Sequence, residues 1–114
     1  MKIMEIPITT MPFFRIPFHI SFTLALYQLG CGMALFDLGY NLLNLTRLPF
    51  NLVFHTNELS DPLWDERISH QFGLNIPLGQ KEKVCRRVLS RIREHFYPVT
   101  TLEYASLLAA QGAL

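Results

Sequence analysis

The chain has 114 residues, and 50% of them are hydrophobic, which suits one folded domain with a buried core. Ten Lys and Arg against nine Asp and Glu give a net charge of +1, so composition excludes a strong overall field that would attract nucleic acid or acidic lipid. Charged residues make up 17% of the chain, below the roughly 25% of average soluble proteins, so few charged side chains are available to cover the surface.

The N-terminal part of the chain predicts a short strand, a loop and then helix. Residues 2–8 are mostly apolar and contain a proline, which is typical of a strand end or edge. Prolines at 12 and 17 exclude a regular helix through the following loop. Apolar residues surround the helix axis beyond Ser21, and Gly30 and Gly32 weaken its middle, so we expect two helical pieces or one bent helix.

The charge deficit is concentrated in this helical part, because residues 16–36 contain no Lys, Arg, Asp or Glu. Such a run is long enough to cross a bilayer, which needs about 20 apolar residues. It also contains proline, histidine, serine, threonine, glutamine and glycine, and neither end has a cluster of basic residues. We therefore expect a buried or interfacial helix and no transmembrane span. The start of the chain does not resemble a signal peptide, which favours a cytoplasmic or membrane-peripheral location.

The second half predicts a strand, a long loop and two more helices. Residues 50–54 are aromatic and aliphatic and predict a buried strand that ends at His55. A polar segment over 56–78 is expected to be loop. Apolar residues at helical spacing predict a helix over 80–96. After an extended segment at 97–100, Thr100 and Glu103 form a capping-box pattern for a last helix to about Gln111.

The element order is strand, helix, strand, helix, strand, helix, which predicts an α/β fold with at least partly parallel strands. Three strands make a poor free-standing sheet. We therefore expect residues 1–114 to form a single segment of a larger α/β unit, or a protomer that completes its sheet by assembly.

Neither histidines nor cysteines show metal-ligand spacing. His19, His55, His70 and His95 form no His-X-His or His-X-X-X-His pair. The two cysteines, Cys31 and Cys85, are far apart and are expected to be buried free thiols. No metal site is predicted from spacing alone.

His55 is the strongest candidate for chemistry, because it follows a predicted buried strand and precedes polar residues. It is a candidate general acid or base, with Glu58 close enough to orient it or to support the loop. The alternative is a histidine at the edge of the core that only bonds to backbone. Asp61 and Trp64, in the loop that follows, are candidates for sugar binding, although Trp64 could equally anchor the loop.

The remaining basic and histidine positions favour structural roles. Six Lys and Arg lie between 81 and 93, but glutamates interrupt them and no aromatic residues alternate with them, which favours a solvated helix face over nucleic-acid binding. His95 is expected to be a favourable charge near a helix C-terminus. His19 and His70 are assigned no function.

Three sequence stretches resemble the C-terminal part of NodB-like polysaccharide deacetylases. They are Glu5-Ile-Pro-Ile-Thr-Thr, Arg47-Leu-Pro-Phe-Asn-Leu-Val-Phe-His-Thr-Asn-Glu-Leu, and Lys81-Glu-Lys-Val followed by Phe96-Tyr-Pro-Val-Thr-Thr-Leu-Glu-Tyr-Ala. The resemblance implies the last part of a distorted (β/α) barrel. It also implies removal of an acyl group, usually acetyl, from an amino sugar or a lipid-linked glycan with the help of a divalent metal such as zinc.

The resemblance carries over to two residues and fails at others. His55 matches the histidine that protonates the leaving amine, and Glu58 matches the acidic residue that follows it. Thr56 stands where proline is common in the family. The aspartate-rich motif and the His-X-X-X-His pair that supply the base and the metal ligands have no match. The resemblance therefore implies an incomplete catalytic domain that is inactive alone.

Two other functions remain open on sequence grounds. The charge-free run also suits a small membrane-associated or lipid-binding protein. The incomplete strand set also suits a non-catalytic assembly module, including a homo-oligomer.

Overall fold

The computed structural model describes residues 5–13 and 15–111. In this part of the chain the α-helices are α1 (Ile20–Gln28), α2 (Gly32–Thr46), α3 (Glu66–Ser69), α4 (Leu78–Arg93) and α5 (Thr101–Ala110). One 3-10 helix covers Thr56–Leu59. Over the described residues 55% are helical and there is no strand or sheet.

The predicted α/β fold, as the C-terminal portion of a distorted (β/α) barrel, is therefore wrong. Residues 5–8 and 50–54 have no strand ladder, and residues 2–4 of the first predicted strand lie outside the described part. Within residues 5–13 and 15–111, pairing is limited to two isolated bridges, an antiparallel one between Thr10 and Pro17 and a parallel one between His19 and Val53.

Proline explains why these extended segments do not build a sheet. Hydrogen bonds join Thr9 N–H to Asn51 O (3.2 Å) and Val53 N–H to Phe18 O (3.3 Å), so the predicted strands do lie side by side. Pro7, Pro12, Pro17 and Pro49 flank or interrupt them and cannot donate to a ladder. The prediction of strands at residues 5–8 and 50–54 is therefore wrong, and the paired segments are too short to build a sheet.

The break between α1 and α2 confirms the prediction of two helical pieces. Gly30 adopts a left-handed conformation with φ +82°, which ends α1. A Cβ on Gly32 would lie 2.2 Å from the backbone nitrogen of Tyr27, so only glycine permits the close turn into α2. No described helix is both long enough and apolar enough to cross a membrane.

The core lies where α1, α2 and α4 meet. Its members are apolar side chains that are almost fully buried: Phe18, Ile20, Leu24, Phe36, Tyr40, Leu43, Val84, Cys85 and Val88. The rings of Phe18, Phe36, Tyr40, Phe50 and Phe96 contact one another at one end of it, mostly edge-on or tilted, with Phe36 stacked on Tyr40. Residues 50–54 thus supply Phe50 to the core without forming a strand.

The two C-terminal helix predictions are confirmed with small changes in bounds. The periodicity over 80–96 corresponds to α4, which begins at Leu78 and ends at Arg93. The capping box of α5 is present, since Thr100 Oγ1 accepts from Glu103 N–H and Glu103 Oε2 accepts from Thr100 N–H. The short α3 lies inside the segment predicted as loop.

The cysteines are both free, as predicted, but only one is buried. Cys85 lies in the core on α4, whereas Cys31 is exposed. Cys31 occupies the N-cap of α2 in the tight connection from α1, where its side chain points away from the core. The prediction of a buried thiol is wrong for Cys31.

Candidate functional site

Glu58 is the centre of a polar cluster between α1 and the 3-10 helix. Its side chain is completely buried. Its Oε1 accepts from the backbone N–H of Ser21 (2.7 Å) and from the Ser21 hydroxyl, and its Oε2 accepts from the backbone N–H of His55 (2.8 Å). The N-terminus of a helix favours a carboxylate, because its N–H groups point toward it. Glu58 therefore joins two elements that are 37 residues apart in sequence.

His19 adds an imidazole to this cluster from the N-cap of α1. Its Nδ1 accepts from Ser21 N–H (3.1 Å) and lies 3.4 Å from Glu58 Oε1. A neutral His19 that accepts at Nδ1 carries its proton on Nε2, where it is a donor. A second proton, on Nδ1, would face the Glu58 carboxylate directly.

His55 lies beside His19 at the surface. The centroids of the two rings are 4.8 Å apart and the rings are tilted by 48°. His55 is exposed, and it is the N-cap residue of the 3-10 helix. The Glu58 carboxylate accepts from the backbone N–H of His55 and so holds the backbone of that residue in place. The structure thus brings both predicted residues together and adds His19, to which the sequence analysis gave no role.

The buried side of the cluster contains Lys81 and Cys85 of α4. Lys81 is completely buried and its Nζ donates to the backbone carbonyl of Ser60 (2.7 Å). Burial lowers the pKa of Lys81, and electrostatic attraction to the acidic groups of Asp61, Cys85 and Glu58 when these are ionised partly offsets that effect. Burial, with Glu58 next, raises the pKa of the Cys85 thiol, which favours its protonated form.

The two predicted sugar-binding residues lie in the segment after the 3-10 helix. Asp61 Oδ1 accepts from the backbone N–H of Leu63 (2.9 Å), which shapes the turn. The Trp64 side chain is 75% exposed, so it does not anchor the loop in the core. Within the described residues, no hydrogen bond links the side chain of Asp61 or Trp64 to that of His55. Their role in sugar binding stays a prediction.

The other two histidines lie away from this cluster. His70 is the C-cap of α3. His95, just beyond α4, has its Nδ1 2.8 Å from the hydroxyl of the buried Tyr40. The position of His95 near a helix C-terminus is as expected, and its contact ties α4 to α2.

The basic residues of α4 partly pair with α2. Arg87 lies 3.2 Å from Asp37, and Arg91 lies 3.8 Å from the same carboxylate. Arg91 also donates to Asn41 and stacks over the ring of Tyr40 at 5.1 Å. These residues thus link α4 to α2, while the Arg87 side chain stays 62% exposed.

The divalent metal that the resemblance implies, such as zinc, requires a group of His, Cys, Asp or Glu side chains as ligands. Over residues 5–13 and 15–111, no group of three or more His, Cys, Asp or Glu side chains is arranged to hold a metal ion. Both carboxylate oxygens of Glu58 accept hydrogen bonds from protein donors, and His19 Nδ1 accepts one from the backbone N–H of Ser21. The described residues therefore do not fit the zinc centre that the resemblance implies.

Comparison with known proteins adds no assignment, since no family model, no curated protein and no solved structure matches this chain.

Proposed function

We propose that His55 is a proton-transfer residue for hydrolysis of an acylated amino sugar, and that this chain supplies that residue without the metal ligands. The observation that carries the proposal is the placement of His55. Its imidazole is exposed beside His19, while its backbone is held by the buried carboxylate of Glu58. The resemblance to NodB-like deacetylases supports the same residue in the same role.

The chemistry requires an exposed imidazole on a fixed backbone. In amide hydrolysis, water adds to the acyl carbon, the carbon–nitrogen bond breaks, and the leaving amine takes up a proton. An imidazole near neutral pH supplies such a proton, and a correctly placed acid of this kind accelerates hydrolysis by roughly 10² to 10⁴. Glu58 acts on His55 only through its backbone, so it is a positioning residue.

The substrate class is the one that the resemblance implies, and Trp64, nine residues after His55 in the sequence, is our candidate contact for it. Trp64 offers an exposed indole, which is a suitable face for the apolar side of a sugar ring. Because the metal does not fit the described residues, no step of the proposal depends on it, and a complete enzyme needs residues from elsewhere. We expect no acetate release by the chain alone.

Titration with the tetramer of N-acetylglucosamine tests the proposal. We expect the side-chain NMR signals of His55 and Trp64 to shift in a saturable way, while those of His70 and His95 stay in place. Trp64→Ala should abolish the shift, and Leu63→Ala, which removes a side chain that is also highly exposed (93%), should not.

Two results would overturn the proposal. One is the absence of any saturable shift at millimolar tetramer. The other is a saturable shift of the Trp64 signals that leaves the His55 signals in place, because the sugar would then not reach this imidazole.

A further inference from the structure

Helix α2 has two apolar faces, and the residues that the structure describes cover only one of them. Phe36, Tyr40 and Leu43 point into the core and are nearly completely buried. Leucines at alternating spacings of three and four residues form a second stripe, in which Leu38 is 53% exposed and Leu45 is 80% exposed. The stripe consists of Leu35, Leu38, Leu42 and Leu45. A helix in a finished domain normally has a polar face on this side.

A pocket of about 250 Å³ lies along this leucine stripe. Residues from the N-terminal loop, α1 and α2 line it, and every one of them is apolar: Met11, Pro12, Ile16, Phe22, Leu26, Leu35, Leu38, Gly39 and Leu42. The stripe and the pocket thus form one continuous apolar surface, and no polar side chain in it could fix a polar ligand.

Phe13 projects from the turn at the edge of this surface. The turn is closed by the Thr10–Pro17 bridge and by a bond from Met11 N–H to Ile16 O (2.7 Å). Phe13 has φ +70° and its side chain is 90% exposed. A phenylalanine held in this way at the tip of a turn has no packing partner among the described residues.

The segment that supplies this surface, residues 6–48, carries few charged side chains. Residues 6–48 carry only Arg15, Asp37 and Arg47 as charged side chains. Asp37 is paired with Arg87 and Arg91 of α4, whereas both Arg15 and Arg47 are exposed and make no salt bridge within the described residues. The segment that supplies the apolar surface therefore carries two arginines without a salt bridge among the described residues, and a negatively charged partner would complement them.

We propose that this surface, made of the leucine stripe, the pocket and Phe13, docks onto a bilayer that contains anionic lipid. Aromatic and leucine side chains flanked by arginines are the composition of interfacial membrane contacts. Two copies paired through the same surface would each bring arginines to it and would gain no opposite charge, whereas anionic headgroups complement both arginines. The net charge of +1 gives little attraction at a distance, so the contact depends on insertion of the apolar groups.

Vesicle sedimentation of the full chain tests this docking. We expect binding to phosphatidylcholine vesicles that contain about one third phosphatidylglycerol, and much weaker binding to pure phosphatidylcholine. Phe13→Asn suits a left-handed backbone and should weaken binding about ten-fold, because it removes a large apolar side chain from the contact. Leu63→Asn is the matched control for loss of an equally exposed apolar side chain outside this surface, and it should bind like the wild type.

The arginines are tested in the same assay. Arg47, like Phe13, has a positive φ, so Arg47→Asn preserves the local backbone preference. We expect Arg15→Asn and Arg47→Asn each to weaken binding about five-fold, and added salt to do the same. Equal binding to both vesicle types would overturn the proposal. A second result would also overturn it. That result is a chain that does not bind vesicles but forms a dimer, seen by light scattering, which Phe13→Asn dissociates.

Discussion

Glu58 is the residue on which the polar cluster depends, because its buried carboxylate accepts from both Ser21 and His55. Without it the part-buried backbone N–H of His55 would lose its acceptor, whereas the N–H of Ser21 would keep only Nδ1 of His19. An unsatisfied buried donor costs about 1–3 kcal/mol, and partial exposure makes the cost smaller here. A glutamate three residues after a histidine is visible in the sequence, which is why His55 and Glu58 could be predicted. The role of His19 could not be predicted, because its contact is with Glu58 in a distant segment and no local sequence pattern indicates it.

Lys81 is the second residue whose burial has a measurable consequence. Its ammonium group has one hydrogen-bond acceptor, the carbonyl of Ser60, and burial lowers its pKa below the ordinary value of 10.5. A cation whose pKa is lower in the folded than in the unfolded state costs stability while both states are charged. That cost falls as pH rises through the folded pKa toward 10.5, since the folded state loses its proton first.

We therefore predict that Lys81→Met, relative to the wild type, is most favourable near neutral pH and loses this advantage in alkali. Urea unfolding of both proteins at several pH values between neutrality and about 10 measures the difference in unfolding free energy. Lys83→Met, at an exposed position of the same helix, is the matched control. A difference for Lys81→Met that stays constant or widens with pH would contradict the assigned burial.

At the scale of elements, sequence patterns predicted α1, α2, α4 and α5, missed the short α3, and were wrong for the strands. Val84, Val88 and Ile92 recur at helical spacing, and tertiary packing agrees with that pattern, so α4 was predictable to within a few residues. Residues 50–54 have strand composition, but a strand also needs partners with free donors. Proline removes those donors from the neighbouring segments, and only the tertiary arrangement shows which segments are neighbours.

The turn between α1 and α2 gives the sharpest prediction at this scale. A Cβ at position 32 would collide with the backbone of Tyr27 and Leu26, so Gly32→Ala should lower the unfolding free energy by about 1–3 kcal/mol or separate the two helices. Gly79→Ala is the control, because a Cβ there meets nothing within 4 Å and alanine favours helix by up to about 1 kcal/mol. Chemical denaturation that finds Gly32→Ala as stable as Gly79→Ala would show that the close turn is absent.

At the scale of the whole molecule, the chain is a helical unit with more apolar surface than it covers. The described α5 has no buried residue, and α2 leaves its leucine stripe exposed. The low charge content was visible in the sequence and correctly indicated scarce polar cover. Composition could not show where the uncovered surface lies, because the leucines that line it are of the same type as those in the core.

The proposed site requires that Glu58 joins α1 to the 3-10 helix, because this contact places the imidazoles of His19 and His55 together. A nuclear Overhauser effect between the ring protons of these two histidines measures this placement in solution. We predict a clear signal in the wild type and in Glu82→Gln, an exposed control, and a weakened signal in Glu58→Gln, because the amide can no longer accept from both donors. Absence of the signal in a folded wild-type chain would contradict the site and the function proposed from it.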